Sequence, residues 1–161
     1  MNETEKEETA TGKLGSVIGK GLIAGLAGTA AITLSQTIEM KITHRPSSFA
    51  PADAASKALG IEASTRENRK KFSNEVHWTY GTLWGMPRGI LSLIGIKGWP
   101  ATAIHLAAIF YTALTIEPDF EVAPPIEEWS KKEIAMAGFH HAVYAVAAGL
   151  VFDAISNNNK K

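Results

Sequence analysis

The sequence contains no cysteine, which excludes disulfides, thiolate metal sites and cysteine nucleophiles. It has no excess of charge either. Sixteen basic residues balance sixteen acidic ones over 161 residues, so nothing points to a nucleic-acid partner. G-x-S-x-G, a phosphate-binding glycine loop and H-E-x-x-H are all missing. No catalytic residue is assigned, and nothing in the chain calls for an enzyme. The basic start of a cleavable signal is missing as well: Met1 to Thr11 is acidic, with Glu3, Glu5, Glu7 and Glu8. The first apolar helix is therefore expected to be retained.

The most informative absence is local. Three windows carry no formal charge: Gly21 to Ile38, Gly98 to Ile116 and Ile134 to Phe152. Each is 18 or 19 residues long, close to the ~20 that cross a hydrocarbon core of about 30 Å. A fourth window, His77 to Ile96, is interrupted only by Arg88. A helix of a soluble bundle carries a charged outer stripe every three or four residues, and these windows lack one. The sequence thus predicts an all-α fold, a bundle of four transmembrane helices embedded in a lipid bilayer. Pro87 beside Arg88 is expected to kink the second span.

Between the spans, Ser47 to Gly60 reads as an amphipathic helical segment in the first long loop, with Ser48 as cap and Gly60 as stop. Arg66 to Asn74 is a basic stretch leading into the second span. Glu117 to Trp129, with Pro118, Pro124 and Pro125, is expected to be an extended loop. Residues 1–12 read as a disordered tail, 13–156 as the membrane domain and 157–161 as a polar tail. Four spans put both termini on one side. Six basic residues outside the spans fall on that side and nine on the other, so the positive-inside tendency points to the second side, by a margin too small to assign the orientation.

Small residues line two helix faces. Gly21, Gly25, Gly28, Ile32, Ser35 and Glu39 form one face of the first helix; His77, Gly81, Gly85 and Gly89 repeat every fourth residue in the second. Such faces let helices approach closely in lipid. They support either a dense internal bundle or packing in a homo-oligomer or larger membrane complex, as an accessory subunit.

Polar residues inside spans are functional candidates, because they face the interior or a water-filled cavity. Glu133, His140 and Tyr144 share a face of the last helix, with His141 turned about 100° away. Depth along the helices brings Glu39, His77, Glu133 and His140 towards one end of the bundle, with His105 or His141 beneath them. Carboxylate plus imidazole is a ligand set for a divalent metal, ahead of haem or a pigment, and also the composition of a proton relay. Arg88 is expected to pair with an acidic residue, meet a lipid headgroup or extend towards the surface. Together with His105, His141 and Tyr144, it forms the expected polar interior. The function this supports is a proton- or ion-responsive membrane protein, or a small transporter.

Asn74-Glu75-Val76-His77-Trp78-Thr79-Tyr80-Gly81, then Trp84-Gly85, and Pro124-Pro125 through Trp129, Glu133 and His140 to Tyr144, resemble the YagU-like family of small bacterial inner-membrane proteins. The likeness covers the first helix and residues 74–150. It implies a polytopic protein of the bacterial inner membrane with a suggested link to acid tolerance, and it transfers no catalytic residue.

Overall fold

A computed structural model describes residues 10–46, 49–61, 65–119 and 124–157, and every regular element among them is helical. In chain order these are α1 (Ala10–Thr43), α2 (Ala50–Leu59), α3 (Arg66–Leu83), α4 (Gly85–Leu93), α5 (Gly98–Asp119), a 3-10 turn (Ile126–Glu128) and α6 (Lys131–Asn157).

Local chemistry sets these boundaries. In α1, the hydroxyls of Thr29, Thr33 and Thr37 each donate to the carbonyl four residues back, so their polarity is absorbed within the helix. The chain then turns at His44, whose φ of 57° is the left-handed conformation that closes helices. Gly60, at φ 65°, ends α2, its N–H donating to Ser56 O. The expected cap Ser48 lies outside the described residues, as do most of the expected N-terminal tail and residues 158–161. Ala10 to Gly12, assigned to that tail, are the first turn of α1.

Three sequence expectations are corrected. The stretch 66–74 is already helical, because the Thr65 hydroxyl accepts the Asn68 N–H and starts α3 there. The interruption falls at Trp84, between α3 and α4, three residues before Pro87. The helix α5 runs on to Asp119 with Pro118 in its last turn, so the loop begins later than expected. The start of α6 is as the sequence suggests: Ser130 N–H donates to Glu133 Oε2 at 2.7 Å and Glu133 N–H to Ser130 Oγ at 3.2 Å, a reciprocal cap.

Where four spanning helices were expected, two among the described residues, α1 and α6, are long and apolar enough to cross a membrane. Charges up to Glu75 and the break at Trp84 leave α3 and α4 individually short of that.

Helix α1 packs against α3, α4 and α6, and α5 lies on α6. The pairings run antiparallel: Thr33 meets His77 and Gly21 meets Gly85, while Ser35 meets His140 and Gly28 meets Tyr144. At the crossing of α1 with α4 backbone touches backbone. A Cβ on Gly21 would sit 2.7 Å from Gly85 O, and one on Gly25 2.9 Å from Gly85 N. Both glycine faces seen in the sequence are thus consumed within the chain.

Many large apolar side chains lie on the surface. Not one leucine is buried, and Leu14, Leu26, Leu34, Leu83, Leu93 and Leu150 are exposed. Leucine is ordinarily among the most buried residue types. The largest fully buried side chains are instead Arg88, His105 and Thr29. Around them sits a small core of Ala24, Ile32, Ile109, Tyr144, Ala148 and Phe152.

Candidate functional site

At the end of the bundle where α1 finishes and α3 and α6 begin, the helices diverge around a cavity of about 1100 Å³. Glu39, His77, Glu133 and His140 all line it, as does His141. The sequence-level convergence is therefore seen in space, and the partners of each group decide what the cluster can do.

Glu39 is buried, and Arg45 returns across the His44 turn to grip it. Arg45 Nη2 donates to Glu39 Oε2 at 2.8 Å and Nε to the same oxygen at 3.1 Å, while the Thr43 hydroxyl approaches Oε1 at 2.9 Å. The hydrogen bonds from Arg45 hold the carboxyl below its ordinary range, against the opposing effect of burial. Glu39 also faces His140, whose Nε2 lies 3.9 Å from Oε2. The other ring nitrogen of His140 is hydrogen-bonded to Ser35 Oγ at 2.8 Å. His140 Nε2 is buried without a hydrogen-bond partner.

His77 is held differently. The single hydroxyl proton of Thr33 goes to Thr29 O, so Thr33 Oγ1 accepts from His77 Nε2–H at 2.9 Å. His141 Nδ1–H donates to Ala137 O at 2.7 Å within its own helix, and its ring lies against Phe110. Glu133 is committed to capping α6 through Ser130, which lowers its pKa.

These commitments bear on the expected metal ligands. Glu39, His77, Glu133 and His140 share a cavity, yet no three histidine or acidic residues among the described ones are grouped to hold a metal ion. Arg45 and Ser130 have taken the carboxylates, and Thr33 and Ser35 hold the imidazoles apart.

The remaining polar residues form a second cluster around the α3–α4 break. His105 Nε2–H donates to Trp84 O at 2.7 Å, and the Tyr144 hydroxyl donates to Gly81 O at 2.6 Å. Side chains from α5 and α6 thus satisfy carbonyls beside the interruption. One turn further on, Arg88 is completely buried, ion-paired to Asp153 and stacked 4.7 Å above the Phe152 ring. Of the three fates considered for Arg88, pairing with an acidic residue is the one adopted.

Ser35 carried a sequence signal, since it lies on the Glu39 face of α1. Asp153 carried none beyond being the first charge after an uncharged window, and Arg45 carried none as a partner of Glu39. No protein family, curated protein or solved structure matches this chain.

Proposed function

We propose that this chain is an integral membrane protein in which α1, α3 with α4, α5 and α6 each cross the bilayer, and that its cavity responds to protons at one membrane face. The membrane part rests on the exposed apolar surface: no leucine is buried and Ile23, Ile38, Ile42, Ile90, Ile94 and Ile104 are exposed, whereas Arg88, His105 and Thr29 are fully buried. Dimensions agree. From the Val17–Gly89 contact to the Ser35–His140 contact, α1 rises about 27 Å at ~1.5 Å per residue, against a hydrocarbon core of about 30 Å. Within that slab the charges are Lys20 and the Arg88–Asp153 pair near one boundary, with Glu75 level with Ser35 at the other. Glu39 and Glu133 fall outside it at the other. Trp99 and Tyr111, both exposed and near opposite boundaries, occupy positions suited to interfacial aromatics. The bacterial inner membrane, implied by the YagU-like resemblance, is part of the proposal.

The proton response rests on one observation: His140 and Arg45 approach the same carboxylate of Glu39 from two sides. Neutral His140 leaves Glu39 to Arg45. Protonated His140 presents a charged N–H to Glu39, competes for the carboxylate and frees Arg45 with the segment that follows α1. Hydrogen–deuterium exchange of the protein in lipid nanodiscs, corrected for intrinsic rates, tests this. Residues 39–61 lose protection between pH 7.5 and pH 5.5 in the wild type and not in His140→Gln. Equal protection at both pH values, or a loss that persists in the variant, contradicts it.

An accessory subunit packing through its glycine faces is the less favoured alternative, because Gly21, Gly25, Gly81, Gly85 and Gly89 already meet residues of this chain. An oligomer or larger complex would use other surfaces.

A further inference from the structure

We infer that the cavity is a binding site for the headgroup of an anionic phospholipid, with its phosphate held between Lys70 of α3 and Lys132 of α6. This rests on the membrane placement proposed above and goes beyond the proton response, with which it shares His140.

The pairing of the charged lining leaves two cations available. Glu39 is ion-paired in the Arg45 fork, and Glu133, still ionised, is hydrogen-bonded in the α6 cap. Lys70 of α3 and Lys132 of α6 both line the cavity, both are exposed, and neither pairs with a carboxylate among the described residues. Opposed to these two cations is one uncommitted carboxylate, Glu128, which is exposed on the 3-10 turn. Deeper in, His140 is only 4% exposed, and its Nε2 has no hydrogen-bond partner. That is a built polar group on the cavity wall with a valence to fill.

The remaining lining suits an amphiphile more than a free ion. Gln36, Ser73 and Asn74 offer neutral hydrogen-bonding groups, while Met40, Leu114 and Met136 supply an apolar wall. A cavity of about 1100 Å³ is at the upper end for small-molecule sites and far larger than a bare phosphate needs. It also lies just past the Ser35–His140 level, where headgroups are, on the side carrying more basic residues. Basic pockets between membrane helices on the cytoplasmic side are the usual seats of anionic headgroups.

Native mass spectrometry of the full chain released from nanodiscs tests the assignment. The discs contain equal phosphatidylglycerol and phosphatidylcholine, and a parallel arm offers inorganic phosphate to protein in detergent. The wild type retains phosphatidylglycerol roughly tenfold over phosphatidylcholine, and Lys70→Gln with Lys132→Gln abolishes the preference. Lys97→Gln, an exposed lysine at the opposite end, leaves it unchanged. Circular dichroism of each variant verifies that helix content is retained. No lipid preference in the wild type, a preference surviving the double change, or saturable phosphate binding without lipid selectivity would each overturn the assignment. A chain that fails to enter nanodiscs fails at the membrane placement instead, so the two outcomes are distinct.

Discussion

His140 Nε2 lies 3.9 Å from Glu39 Oε2, on a carboxylate that Arg45 already grips at 2.8 Å. One anion thus sits between a fixed cation and a switchable one. The sign of the pH dependence follows. Glu39 is held below the ordinary carboxylate range, chiefly by hydrogen bonds from Arg45, so its contribution to stability is present above the unfolded-state value near 4. That contribution is lost as pH falls through the depressed folded value. Glu39→Gln should therefore flatten the acid limb of stability, measured as the unfolding midpoint by circular dichroism between pH 7 and pH 3. An unchanged limb would show that the Arg45 contact contributes nothing in solution.

The α1–α4 crossing predicts a sharp contrast between two glycines. A Cβ at Gly85 would run into the backbone of Gly21 and Gly25, so Gly85→Ala should destabilise by about 1–3 kcal/mol or more. Gly19 lies on the same helix as Gly21, yet a Cβ there meets nothing within 4 Å. Gly19→Ala should be neutral or stabilising by up to about 1 kcal/mol, the usual helix-interior difference. Unfolding in micelles reads both, and equal effects would contradict the close crossing.

Arg88 and Asp153 should behave as a unit. Asp153→Asn leaves a fully buried guanidinium without its counter-charge. Breaking such a pair costs about 3–5 kcal/mol at fully buried sites and less here, because Asp153 is 35% exposed. Arg88→Met combined with Asp153→Leu should recover most of that loss. A double change as damaging as the sum of the single ones would show that the two residues act separately.

The α3–α4 break predicts a third pair of effects. Tyr144→Phe removes the donor to Gly81 O, and His105→Phe the donor to Trp84 O. Each leaves a carbonyl short of a partner, worth about 1–3 kcal/mol where it is buried. Hydrogen exchange at residues 81–88 should rise in both variants. Unchanged exchange would mean that the break supports itself.

Much of this architecture was legible in the sequence because it depends on period and on charge. The uncharged windows located α1, α5 and α6, and the four-residue glycine spacing marked faces that do meet. Depth counting placed Glu39, His77, Glu133 and His140 at one end. What escaped was tertiary. No local pattern tells that Arg88 finds Asp153, 65 residues away, or that Arg45 folds back across a left-handed His44. The carboxylate and imidazole set suggested metal ligands, and the sequence could not show that Thr33, Ser35 and Ser130 hydrogen-bond to His77, His140 and Glu133. Residue types and depth were readable, and their partners were not.

The central claim is a chain that crosses the bilayer four times, and the absence of cysteine makes it directly testable. Single changes Lys13→Cys, Lys71→Cys, Lys97→Cys and Lys131→Cys place one thiol at each end of the proposed spans. Labelling with a membrane-impermeant maleimide on sealed vesicles of known orientation then reports sidedness. Four spans predict that positions 13 and 97 label from one side and positions 71 and 131 from the other. Labelling of all four from the same side, or release of the protein from membranes by alkaline carbonate, would contradict the account.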